Sequence, residues 1–458
     1  MCFDAGNRIR RRFVIPTMEA LSISRDTTTP VDRTIELWQQ AAGPWLRPTP
    51  PFSPREQRKR EQAYDLALSD VERHAKRANR FAPAETQQRV TASFARFAAT
   101  ALDLPHPAIE LITEQFLPVG TQLARWARRF DPNLSTPDIV QACRNAWTAC
   151  GLQPLLGAPL GLTPGILGYS LLYPYSDNLL DQRRIERDEK LRFSERFRSR
   201  LRGEPLPPDG DHEVSIWELV SLIEGQFPRP RFPGVYESLL AIHNAQEESL
   251  AQLHAGDRCD EREILRISCF KGGTSVLADA FLIHGILTTQ QNHFAFDWGV
   301  LLQLGDDLQD VHEDLERGSA TLFTRAVHRR DPLDALALQL LNFGDTVAAS
   351  MDALPHGTLT HKDLLRMSWR SLVLMAVAQA HEHFSPALLA ALEPCSPFRF
   401  GFLRARRKKL DGKSGLFQRL FQILLSNEEG PACQLPSPRV RRSLPLIPTA
   451  ALAPDVTV

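Results

Sequence analysis

Apolar residues recur at helical spacing along most of this chain. Between positions 108 and 130, Ile109, Ile112, Phe116, Val119, Leu123 and Trp126 fall near i, i+3 and i+7, which predicts an amphipathic helix. Weaker patterns predict helices over 34–45, 55–80 and 88–102, the first ended by Pro48, Pro50, Pro51 and Pro54. Asp131-Pro132-Asn133 breaks the chain, and Ser135-Thr136-Pro137-Asp138 reads as an N-cap with proline just inside a helix over 139–149. Charges alternate in sign over 182–202, a proline-rich loop follows over 203–210, and helices are expected over 215–227, 235–255, 261–287 and 293–316. Lys271-Gly272-Gly273 is expected to interrupt the third of these, where paired glycines could unwind the helix and aim backbone N–H groups at phosphate. Three or four more helices reach about residue 392, and the stretch 398–425 contains a basic run followed by Gly412-Lys413-Ser414-Gly415. No stretch alternates with period two, so the fold class is all-α. Residues 1–33 and 426–458 lack apolar periodicity and are expected to be disordered, leaving a helical extension over 34–84 ahead of a large helical domain over 85–425.

The 293–316 segment organises the rest. Leu301, Leu304, Leu308, Val311 and Leu315 form its apolar stripe, while Gln303, Asp306, Asp307, Asp310 and Asp314 share another face. Carboxylates packed this closely repel, and a bridging cation would turn the cluster into a site; oxygen-only ligands suit magnesium. A solvated acidic helix face would show the same pattern, so a second feature has to decide. It lies upstream, where Asp177 and Asp181 stand at i, i+4 and close a run of 32 uncharged residues, 145–176. That run is long enough to span a bilayer, but Pro154, Pro159, Pro164, Pro174 and five glycines break it, so it reads as buried helices and turns. Two acidic helices across an apolar cavity, with Arg183 and Arg184 one turn away, suit a diphosphate held through magnesium.

These residues carry a family resemblance. Gly299, Gln303 and Asp306-Asp307-Leu308-Gln309-Asp310 resemble the second aspartate-rich motif of the trans-prenyltransferases. Asp177-Asn178-Leu179-Leu180-Asp181 resembles their first motif, with asparagine in place of its second aspartate. Over roughly 85–425 the chain is similar to the class I isoprenoid synthases, and its Asp-Asn-x-x-Asp motif is most similar to that of the bacterial large-terpene synthases of the tetraprenyl-β-curcumene synthase type. The resemblance implies a single helical bundle around an apolar cavity. Asp177 and Asp181 on one wall, and Asp306 and Asp310 on the other, would hold three magnesium ions, with Asp307 a further ligand or a partner of one. Lys271, which with Thr274 resembles the family's Lys-Thr segment, would bind the diphosphate together with Gln303, Arg183, Arg184 and Arg317. Asp314 lies beyond the motif and is expected to take no part. The implied reaction is ionisation of a long linear prenyl diphosphate to a carbocation that becomes a terpene. Tyr173 and Tyr175 would steady such a cation if they face the cavity, and are core packing otherwise.

Composition narrows the setting. The 458 residues carry 54 basic and 54 acidic side chains, so no global field recruits nucleic acid or membranes. Seven cysteines without CxxC spacing read as reduced thiols of a cytoplasmic protein. The arginines at positions 8 and 10–12 are followed by no apolar segment, so the N-terminus is no secretory signal, and Met18 offers an alternative start. The basic run from Arg404 to Lys409 is a solvated face that could also provide peripheral contact with anionic lipid. Gly412-Lys413-Ser414 lacks the earlier glycine of a P-loop, His381-Glu382-His383 lacks zinc-protease spacing, and no Asp-x-Asp-Asp segment supports protonation-initiated cyclisation. Three rival readings remain. A chain-elongating prenyltransferase would need a second diphosphate site, for which only Arg125, Arg128 and Arg129 offer themselves upstream; a head-to-head synthase fits the second motif poorly; and a non-catalytic helical module is best supported by Asn178.

Overall fold

The computed structural model describes residues 29–45, 51–77, 83–181, 185–252, 260–411 and 435–436, with the backbone alone at Pro83, Asp177, Asn178, Leu180, Asp181, Arg187, Ala251, Lys409, Leu410 and Asp411. Among the described residues there is no β-strand. The helices are α1 Pro30–Gln40, α2 Pro54–Arg77, α3 Pro83–Thr100, α4 His106–Glu110, α5 Leu117–Phe130, α6 Thr136–Leu152, α7 Pro164–Asp181, α8 Arg187–Arg202, α9 Gly210–Gln226, α10 Pro233–Ser249, α11 Glu261–His284, α12 Thr289–Gln309, α13 Val311–Arg317, α14 Leu322–His328, α15 Asp334–Ser350, α16 Leu359–Gln379, α17 Pro386–Leu392 and α18 Phe400–Asp411. None of the described helices is long and apolar enough to cross a membrane.

Local sequence explains most boundaries. Ser135 caps α6 as its side chain accepts from the Asp138 N–H at 3.2 Å, with proline in the first turn. The helix expected over 108–130 is in three pieces, α4, a π-helical turn over Leu111–Phe116, and α5. Pro118, at the start of α5, lacks an N–H and crowds the carbonyl four residues back, which widens the turn before it.

Two apolar cores meet at α11. One gathers α5, α6, α7, α9 and α10 around residues such as Leu123, Ile139, Leu167 and Ile223; the other gathers α1, α12, α15 and α16 around Trp38, Phe294, Phe343 and Trp369. Ala278 and Leu282 of α11 face the first core, while Ile264 and Cys269 face the second. Helix α12 is apolar on most sides, as expected of a helix surrounded by others. Helix α1 is fastened to it where the Arg33 guanidinium and the Thr34 hydroxyl both donate to Asp297 Oδ1, each at 2.6 Å.

Two expectations are corrected. Helix α11 runs unbroken through Lys271-Gly272-Gly273. Its glycines serve close packing instead, because a β-carbon on Gly273 would meet the Phe296 ring at 2.4 Å and one on Gly272 would meet the Gly299 carbonyl oxygen at 2.6 Å. The segment expected as one helix over 293–316 breaks at Asp310, which ends α12 with φ −97° and ψ 14° before α13 begins. The basic run near the C-terminus is largely engaged by protein: Arg404 donates to the Ala378 carbonyl at 3.5 Å, Arg406 pairs with Asp65 and Arg407 bonds Gln379. Residues of the 1–33 and 426–458 segments other than 29–33 and 435–436 lie outside the described residues, as do Gly412 to Gly415. Leu435 packs on the α5–α10 core, and the Pro436 carbonyl accepts from Trp126 Nε1 at 2.8 Å.

Candidate functional site

The acidic end of α12 opens on a cavity of about 300 Å³. Its walls come from Arg144, Asn145 and Thr148 on α6, Tyr173 on α7, Lys271, Ser275 and Asp279 on α11, Gly299, Leu302, Gln303 and Asp306 on α12, and Leu372 on α16. The close approach of α11 and α12 at their glycines brings Lys271 and Asp306 onto one rim.

The three aspartates of the α12 motif do different work. Asp307 is buried against α11 rather than presented to the cavity, its oxygens accepting from Gln303 Nε2 at 2.7 Å and Ser268 Oγ at 3.0 Å. Burial, reinforced by the neighbouring Asp306 charge, pushes its carboxyl up to about 6. Asp306 lines the cavity and lies 3.6 Å from Arg144. Burial and the Asp310 charge raise its pKa against the pull of Arg144 and Lys271. Asp310 is half-buried at the helix break, where Gln309 Nε2 donates to it at 3.4 Å. The single acidic face expected for Gln303, Asp306, Asp307, Asp310 and Asp314 is thus divided, because side chains one position apart on a helix diverge by about 100°.

Asp314, on α13, stands close enough to the motif to feel its charges. Burial, then the charges of Asp307 and Asp310, push its carboxyl up to about 7, while Lys271 opposes them, so it belongs to the same charged cluster. Arg317 pairs with Glu313 on α13 and is not part of the cavity wall. Asp177 and Asp181 follow Tyr173 at one and two turns along α7; their side chains, with Arg183 and Arg184, lie outside the described residues. Of the tyrosines, Tyr173 reaches the cavity, whereas Tyr175 is buried against Phe130 with its hydroxyl donating to Asp131 at 2.8 Å. Arg128 is spent on the α5–α6 turn, where it donates to the Leu134 carbonyl and to Thr136 Oγ1.

Several wall residues escaped the sequence reading, chiefly Arg144, Asn145 and Asp279. Arg144 is the last charge before the uncharged run, and Asp279 is the one carboxyl inside the otherwise apolar second half of α11, so each left a faint signal.

A second, larger cavity of about 580 Å³ adjoins the first. Phe94, Ile112, Phe116, Trp147, Leu152, Trp298 and Leu365 give it an almost wholly apolar lining, and Thr148 and Leu302 border both spaces. Away from both cavities, His312, Glu382 and His383 gather potential ligand atoms within 4.8 Å of one another, with His312 Nε2 and Glu382 Oε1 at 3.3 Å. The cysteines at 143, 150, 269 and 395 form no disulfide, and burial pushes the Cys143 and Cys150 thiols up to about 12.

No protein-family model matches the chain, and no curated protein is similar to it.

Proposed function

We propose that this protein is a class I isoprenoid synthase that ionises a long linear prenyl diphosphate and directs the resulting cation to a terpene. The observation that carries the reading is the pairing of the two cavities: a charged compartment lined by Arg144, Lys271 and Asp306 beside a larger one lined by aromatic and aliphatic side chains. An anionic head on a hydrocarbon tail is the ligand class such a pair fits, and neither space alone would favour it.

The donor set suits magnesium. Asp306 and Asp310 offer hard oxygens, and their mutual repulsion, visible in the raised pKa of Asp306, is what a divalent cation would relieve. Asp177 and Asp181 would complete the set from α7, and Asp307, held by Gln303 and Ser268, would brace it. Bound magnesium supplies neutralisation of the leaving diphosphate. Lys271 and Arg144 bind the diphosphate oxygens, Gln303 fixes Asp307, and the apolar lining keeps water from quenching an allylic cation. The test is incubation of the purified full-length protein and magnesium with prenyl diphosphates of ten to thirty-five carbons, with and without isopentenyl diphosphate, reading diphosphate release and product mass. Release with a hydrocarbon or alcohol product supports the synthase reading; growth of the chain only with isopentenyl diphosphate assigns elongation instead; no release from any substrate removes the enzyme reading.

A further inference from the structure

Asp279 stands apart from the other carboxyls of the cavity. Its side chain is fully buried, yet it lines the same space as Lys271 and Asp306. Asn145 Nδ2 donates to its Oδ1 at 3.2 Å and also to Ser170 Oγ at 3.1 Å, while Oδ2 has no hydrogen-bond partner. It lies eight residues beyond Lys271, about 12 Å along α11 at the usual helical rise. Among the described residues no cation pairs with it, since Arg144 turns to Asp306 and Lys271 sits at the rim. The Cys150 thiol feels the Asp279 charge and is itself pushed up to about 12, chiefly by burial.

A purely structural aspartate would be expected to use both oxygens, because an unpaired buried acceptor is unfavourable and asparagine would hold the single Asn145 contact as well. A neutral carboxyl lessens the cost by removing the buried charge, as burial raises its pKa well above the ordinary carboxylate range, and its second oxygen remains uncommitted among the described residues. A neutral acid with an uncommitted oxygen, inside the space assigned to substrate, is a proton donor waiting for an acceptor.

We propose that Asp279 is the acid–base residue of this cavity, exchanging a proton with a carbon of the bound hydrocarbon. The inference rests on the isoprenoid reading of the site. Once the allylic cation has given one proton to the released diphosphate and become a neutral polyene, the Asp279 O–H bond breaks and the proton forms a C–H bond at one alkene carbon, whose π electron pair supplies that bond. The other alkene carbon becomes cationic beside the Asp279 carboxylate. As a base, the carboxylate then takes a proton from a carbon next to the cationic centre, and that C–H electron pair becomes the new double bond. The acid is regenerated, and one hydrogen of the product comes from solvent by way of Asp279. A diphosphate at the rim could not do this at the same carbons, being about two helical turns away.

Two measurements on the full-length protein test the proposal. Infrared spectra should show a protonated carboxyl band at neutral pH that moves in heavy water and is missing from Asp279→Asn. Turnover in heavy water should give a product carrying deuterium, and in Asp279→Asn the deuterium incorporated per diphosphate released should fall by about a hundredfold or more. Should Asp279→Asn fail to fold, Asn145→Ala leaves the carboxyl in place but unoriented, and the same ratio should fall there too. Diphosphate release with an unchanged deuterium ratio in the folded variants would overturn the role of Asp279 and leave the synthase reading standing. No diphosphate release from the parent protein would remove both.

Discussion

Gly299 and Gly272 meet backbone to backbone, so closely that a β-carbon on Gly299 would stand 2.1 Å from the Gly272 carbonyl oxygen. No side-chain rotation relieves a clash with a carbonyl, so Gly299→Ala must push α11 and α12 apart. The expected loss is about 1–3 kcal/mol, beyond what alanine's better helix propensity returns, read as a lower urea midpoint. Diphosphate-dependent activity should fall with it, as Lys271 and Asp306 separate. Gly225→Ala, where nothing lies within 4 Å, is the contrasting case and should be neutral or stabilising by up to about 1 kcal/mol.

Magnesium and inorganic diphosphate together should raise the melting temperature, and neither should do so alone. Asp306→Asn, Asp310→Asn and Asp177→Asn should each remove the joint shift and lower turnover by about a hundredfold or more. All three should stay folded without ligand, and a chelator should abolish the shift in the parent protein. An Asp306→Asn variant that keeps the joint shift would reduce the acidic segment to a solvated face.

Lys271→Ala should raise the Michaelis constant or lower turnover by about tenfold or more, and Lys271→Arg should keep part of the activity, because the contact depends on charge more than shape. Steady-state kinetics of the two variants decide it; equal, parent-like values would show a lysine that merely reaches solvent.

Asp314 gives a pH test. Its carboxyl is raised from an ordinary 3.8 to about 7, so the folded state holds a proton that the unfolded state has already released. The associated stability is fully present below the ordinary value and is lost as pH rises through the folded one. Thermal stability without ligand should therefore decline between about pH 4 and about pH 7, and Asp314→Asn should flatten that decline. A slope identical to the parent's would remove Asp314 from the cluster.

The helical class was legible because apolar spacing directly records burial, and Ser135 marked the start of α6 as its chemistry requires. Which face each aspartate took was not. Periodicity gathers Asp306, Asp307 and Asp314 on one arc, but only the packing of Ser268 against α12 turns Asp307 inward, and Asp314 feels the Asp307 and Asp310 charges from the separate helix α13. Lys271-Gly272-Gly273 misled for a related reason: glycine marks both loose backbone and tight helix crossings, and only the partner Gly299 tells them apart. Arg144, Asn145 and Asp279 were hidden because their meaning depends on α6 and α11 meeting across a space that no local pattern encodes.

Trp298, Leu302 and Asp306 follow one another at i, i+4 along a single row of α12. Trp298 belongs to the apolar cavity, Leu302 to both and Asp306 to the charged one, so this row is a graded ruler from hydrocarbon to ion. Leu302, with Thr148 of α6, forms the wall common to both compartments. Trimming Leu302 is expected to widen the passage between them and enlarging it to narrow that passage, so the volume of this one side chain would tune how freely the two spaces communicate.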